Sequence, residues 1–188
     1  MFAQYTIEQQ KGIREKVVLW CSFSLFVLLL IIFTLPKESV KTVQTEDIRI
    51  PILASYASSV NVNLSVDDAH EIASNIVKYA DYQHIKPTLL AALITIESGY
   101  KQFAISDSNA IGLMQVLPKY HKDKIQNNKL IPFKIEDNIA LGSMILREYL
   151  DKSHSVREAL LRYNGSLGTN SDYAKKILSE QEHIKGLM

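Results

Sequence analysis

Glu97 closes the apolar run Ala91-Ala92-Leu93-Ile94-Thr95-Ile96 and is followed at once by Ser98-Gly99. Acidic side chains are almost never fully buried without a partner, so a carboxylate where the pattern asks for a hydrophobe is costly. Low dielectric moves such a carboxyl's pKa up toward neutrality, where one group can both give and take a proton at physiological pH. The alternative is an acid at the edge of the apolar stripe that points into water. Three further segments exceed what helix packing requires: Ser106-Asp107-Ser108-Asn109-Ala110-Ile111-Gly112-Leu113-Met114-Gln115-Val116-Leu117-Pro118, then Asp137-Asn138-Ile139-Ala140-Leu141-Gly142, then Arg162-Tyr163-Asn164-Gly165. A second carboxylate for paired acid–base work is not obvious. Asp107 is the nearest alternative and Asp137 a more distant one, better explained as a helix N-cap.

Other chemistries find little support. His70, His84, His121, His154 and His183 show no i, i+4 pairing and no cysteine partners, so no metal site is expected. There is no Gly-rich phosphate loop. Lys119, His121, Lys122, Lys124 and Lys129 form a basic cluster that could attract an anionic polymer, or simply a solvated loop. The net charge of +1 points to no nucleic-acid partner.

The elements that must position these residues are helical. Ser65 with Asp68 resembles a capping box, and Ala69, Ile72, Ala73, Ile76 and Ala80 make one stripe. Pro87 suits the first turn of the next helix, Leu89, Leu90, Leu93, Ile94 and Ile96 its buried side, and Gly99 its C-terminal cap. A helix is expected over about 136–151, with Ile139, Leu146, Tyr149 and Leu150 inward. Ser155 with Glu158 is a capping box for a helix carrying Val156, Ala159, Leu160 and Tyr163. An amphipathic stretch over about 171–182 carries Tyr173, Ile177 and Leu178. Strand signals are confined to a weak one around 103–113. Ile48, Ile50, Ile52 and Leu53 could form a short extended piece that docks on the domain, so this otherwise unpatterned stretch reads as a tether with room for a packed segment.

Residues 17–35, VVLWCSFSLFVLLLIIFTL, carry no charge. As a helix they would span roughly 28 Å, close to the hydrocarbon thickness of a bilayer. Lys11, Arg14 and Lys16 precede them, which places residues 1–16 in the cytoplasm and sends the remainder across. The run is too long for a signal-peptide core and no small-x-small site follows it, so a single-pass signal anchor is expected. The single cysteine, Cys21, lies inside this run, which leaves the exported part to be held by its core alone. The organisation expected is a cytoplasmic tail at 1–16, an anchor at 17–35, a tether at 36–64 and a mainly α domain at 65–188.

Taken in order, Glu97-Ser98, the Ser-rich loop into Gly112-Leu113-Met114-Gln115, Asn138-Ile139-Ala140 and Tyr163-Asn164-Gly165 resemble the lytic transglycosylases of the soluble-lytic-transglycosylase type, with a goose-lysozyme-like fold. The resemblance covers about residues 68–180. Asn109 stands where that family often has glycine, and the block Arg162-Tyr163-Asn164-Gly165-Ser166 lacks the alanines usual on either side of its Tyr-Asn. The resemblance implies a lysozyme-like compact helical domain behind one transmembrane helix, acting without a cofactor on peptidoglycan. The bond cleaved would be the β-1,4 linkage from N-acetylmuramic acid to N-acetylglucosamine. Glu97 would act first as acid and then as base on the muramoyl C6 hydroxyl, leaving a 1,6-anhydro end. Substrate-binding roles would fall to Gln115 and Asn164 as amides, Ser106 at the acetamido or C6 region and Met114 as an apolar wall. Tyr163 would orient the Glu97 carboxyl. Gly112 would admit close approach of backbone to sugar, or a turn, and Tyr100 and Tyr120 are candidate stacking platforms. A hydrolytic muramidase on the same fold, or a non-catalytic wall-binding scaffold of an envelope-spanning machine with partners not named by the sequence, are the competing expectations. The location implied is the bacterial inner membrane, with the catalytic domain in the periplasm.

Overall fold

The computed structural model describes residues 47–169 and 171–188, all within a compact unit spanning Thr45–Met188. The expected tail, the anchor at 17–35 and the first part of the tether lie outside the described residues. Among the described residues no helix is long and apolar enough to cross a membrane. Their helices are α1 (Arg49–Val60), α2 (Val66–Tyr82), α3 (Pro87–Ser98), α4 (Lys122–Asn128), α5 (Ile135–Asp151), α6 (Val156–Tyr163) and α7 (Tyr173–Lys185), with a 3-10 turn at Pro118–Tyr120.

Helix α3 is the centre because it has no polar face over its first two turns: Thr88, Leu89, Leu90, Ala91, Ala92, Leu93 and Ile94 are all buried. A helix apolar all round must be enclosed, and α2 and α7 supply walls for it. Helix α2 turns its stripe of Ala69, Ile72, Ala73, Ile76 and Ala80 toward the core. Helix α5 packs on α2 and α6, and α6 packs on α7. Local signals set the ends. The Ser65 hydroxyl accepts from the Asp68 N–H at 3.0 Å, and the Ser155 hydroxyl from the Glu158 N–H at 3.1 Å. Pro87 occupies the first turn of α3, and Gly99 ends that helix in the left-handed region at φ 56°.

Three expectations are corrected. Residues 49–60 pack on the domain but are not extended: they form α1, which buries Leu53, Tyr56 and Ala57 against α2 and α3. The spacing of those three residues is helical, and Pro51 falls in the first turn, where its missing N–H costs nothing. The Tyr56 hydroxyl donates to Glu180 of α7 at 2.6 Å and lies 2.9 Å from Thr95 Oγ1 of α3, so α1 ties both helices. Second, the weak strand signal around 103–113 yields only isolated bridges, Ile105 with Ile111 and Ile111 with Val116. Third, Asp137 is not the N-cap of α5. Lys134 holds that position, while Asp137 sits in the first turn and accepts from the Ile131 N–H at 2.9 Å.

Candidate functional site

The last turn of α3 carries Glu97 to the edge of the core, half-buried. Burial pushes its carboxyl up from 4.5 to about 7, against the opposing effect of a hydrogen bond from Tyr173. The Tyr173 hydroxyl donates to Oε1 of Glu97. Burial and the neighbouring Glu97 charge hold that phenol well above its ordinary pKa, so it remains a donor. With Oε1 occupied, the proton of the neutral acid belongs on Oε2.

Facing this carboxyl is the loop 103–118, and its shape is fixed by three side chains that each reach its backbone. Ser98, next to Glu97, donates its hydroxyl to the Leu113 carbonyl at 2.7 Å. Asn138 of α5, 1% exposed, accepts from the Met114 N–H at 2.8 Å and donates to the Ile111 and Pro132 carbonyls at 3.1 and 2.7 Å. Tyr163 of α6 donates to the Met114 carbonyl at 2.8 Å. The Asn138 amide also explains Gly112. A Cβ there would lie 2.1 Å from Asn138 Nδ2, and the backbone is left-handed at φ 78°. The close approach that Gly112 permits is therefore to Asn138.

The sequence-derived site residues divide accordingly. Gln115, at φ 47°, commits Nε2 to the Ala104 and Gly112 carbonyls at 3.2 and 3.0 Å, which leaves Oε1 to accept. Gln115, Tyr163 and Asn164 line one cleft of about 200 Å3. Ser106 closes a turn: its hydroxyl accepts from the Ala110 N–H at 3.0 Å. Met114 is not an exposed wall. Its side chain is 0% exposed and packed against Gly142 of α5, where a Cβ would meet Sδ at 2.5 Å, so the residue presents backbone rather than thioether to the loop. Tyr163 orients the loop, since its hydroxyl goes to Met114, and the bond to Glu97 expected of it comes from Tyr173. The two are still electrostatic neighbours, because the Glu97 charge helps burial to raise the Tyr163 phenol. Tyr100 is no platform: it is 0% exposed, edge-on to Tyr56 with centroids 6.1 Å apart. Tyr120 is exposed, with Lys119 Nζ 4.8 Å from its ring centre. Asp107 is exposed. Among the described residues no group of three His, Cys, Asp or Glu could hold a metal.

Sequence reasoning assigned no role to Tyr173, Asn138 or Ser98. Tyr173 read as an inward apolar residue of its helix. Asn138 carried a signal, an amide on the buried side of α5 where packing asks for a hydrophobe.

Substituting Phe for Tyr173 removes the one hydrogen bond that lowers the Glu97 pKa. With Glu97 as a reacting acid, the basic limb of a pH–rate profile should then move upward, and turnover should fall about tenfold through lost orientation of its carboxyl. A pH–rate series on both proteins measures the two effects together.

Comparison with known proteins gives matches of three kinds. The family model described as "Transglycosylase SLT domain" matches residues 74–184. A protein named "Transglycosylase" from Enterobacteria phage PRD1 is 37% identical over 87 residues, 46% of this chain and 31% of that protein. The chain thus spans about a third of this curated relative. A crystal structure of an inactive mutant of the lytic transglycosylase Slt from Pseudomonas aeruginosa aligns at a TM-score of 0.46 and 18% identity, covering 61% of this chain and 22% of that one.

Proposed function

The chain belongs to the transglycosylase SLT domain family, and from that premise we propose that its described domain cleaves peptidoglycan glycan strands as a lytic transglycosylase. The observation that carries this reading is the half-buried Glu97 carboxyl, held at about 7 and bonded through one oxygen by Tyr173. A carboxyl poised there serves acid and base steps almost equally near neutral pH.

Protonated Glu97 gives its proton to the oxygen linking N-acetylmuramic acid to N-acetylglucosamine, and the bond from muramoyl C1 to that oxygen breaks. The resulting carboxylate takes the proton of the muramoyl C6 hydroxyl as O6 bonds to C1, giving a 1,6-anhydro end and regenerating the acid. Paired-carboxylate glycosidases place their two groups about 5–9.5 Å apart, flanking the bond. Here Asp107 is exposed and Asp137 is engaged with the Ile131 N–H, so the substrate's own acetamido and C6 hydroxyl fill the second role. Gln115 and Asn164, which line the same cleft as Tyr163, offer polar atoms to sugar hydroxyls. Ser106 and the Met114 backbone shape the loop that faces Glu97.

Digestion of purified sacculi followed by mass analysis of the released fragments is the test. Anhydro ends are expected. Reducing muramic ends would instead assign a hydrolytic muramidase to the same site, and intact sacculi would leave a wall-binding scaffold.

The uncharged run 17–35 supports a tether in the bacterial inner membrane that leaves the catalytic domain in the periplasm. Protease added to spheroplasts should then digest the domain while sparing it in intact cells. Protection in spheroplasts would reverse the orientation.

A further inference from the structure

The cleft beside Tyr163 holds more than a neutral sugar needs. Its walls include Gln115, Tyr120, His121, Tyr149, Arg162 and Tyr163. Arg162, in the last turn of α6, is one of the residues that line the cleft. Glu158, one turn earlier, steadies it: Nε and Nη2 donate to Oε1 at 3.2 and 2.8 Å. Nη1 takes no part in those two bonds. Lys119 extends the positive rim, with its ammonium over the Tyr120 ring. His121 adds no charge near neutral pH, since burial and the neighbouring Lys124 lower its pKa against the opposing pull of Glu148. The positive character of the cleft is thus concentrated on Arg162 and its rim.

We propose that Arg162 makes this cleft a subsite for a carboxylate of the acidic peptide carried by the glycan, so that the chain selects peptide-bearing strands. The inference rests on the glycan-cleaving reading above and adds a specificity determinant to it. A guanidinium matches a carboxylate through parallel N–H donors, which a lone ammonium cannot do. The cleft is continuous with Gln115 and Tyr163, and the latter holds the Met114 carbonyl in the loop facing Glu97. A peptide branching from a muramoyl unit bound near Glu97 would pass this wall. Glu158 competes for the same guanidinium and weakens the attraction.

That competition provides an opposed pair of variants. The full-length protein, Arg162→Gln and Glu158→Gln are assayed on sacculi and on strands stripped of peptide by an amidase, and kcat/KM is compared as a ratio. The wild-type protein should favour peptide-bearing strands. In Arg162→Gln that ratio should fall about tenfold, mostly through KM. In Glu158→Gln it should rise, because the guanidinium loses its internal partner. A purely structural ion pair would move both variants in the same direction, and that result overturns the proposal, as does an unchanged ratio in Arg162→Gln. Turnover of stripped strands with no preference for peptide also overturns it while leaving the cleavage reading intact. Failure to cleave either substrate removes the cleavage reading itself.

Discussion

Glu97→Gln should lose about three orders of magnitude in kcat yet be the more stable protein above pH 7. The loss follows from removing the group that, in the reaction proposed above, both protonates the leaving oxygen and deprotonates the C6 hydroxyl, within the usual range for general acid–base catalysis. The gain follows from linkage. The Glu97 pKa is raised from 4.5 in an exposed chain to about 7 in the fold, so the native state binds this proton more tightly than the unfolded state. Its contribution is fully present below pH 4.5 and is lost as pH rises through 7. Above that, the ionised carboxylate costs roughly 2–3 kcal/mol, allowing for its partial exposure. A glutamine amide carries no such charge, and its oxygen still accepts from Tyr173. Denaturant melts of both proteins should coincide near pH 4 and diverge by pH 8 in favour of the variant. A variant less stable at pH 8 would mean that the carboxylate is solvated in the fold.

Asn138→Ala should produce the largest loss of stability outside the apolar core, about 3–4 kcal/mol, or roughly 10 °C in Tm. The amide makes three hydrogen bonds, all to backbone groups. Its removal strands the Met114 N–H and the Pro132 carbonyl around a side chain that is 1% exposed, and leaves the Ile111 carbonyl with the Val116 N–H alone. Water entering the new space can satisfy part of this, which keeps the figure below the full cost of two orphaned groups. Activity at 25 °C should fall as well, since Met114 and Gln115 lose their fixed register. Calorimetry together with sacculus digestion measures both. A near-neutral variant would show that Ser98 and Tyr163 suffice to hold the loop.

The helices were legible because their signals are local. Ser65, Pro87, Gly99 and Ser155 each mark an end, and the stripe on α2 repeats at helical spacing. Helix α1 was obscured because its isoleucines suggested an extended piece, although Leu53, Tyr56 and Ala57 carry helical spacing. Glu97 stood out as an acid in an apolar run. Its partner did not, because pairing Tyr173 with Glu97 joins residues 76 apart in the chain, and nothing local distinguishes that phenol from Tyr163. Tyr100 misled for the opposite reason. An aromatic beside the acid suggests a platform, but its left-handed backbone at φ 60° accompanies a ring enclosed in the core.

The threefold tethering of the 111–114 backbone has a kinetic corollary. A segment moored to α3, α5 and α6 at once has no soft hinge of its own, so recognition falls to the incoming polymer: a strand must already be bent to match a standing mould. Turnover would then be paced by how often stretches of wall present that shape, and stiff, highly cross-linked material would be cut more slowly than freshly made, slack material.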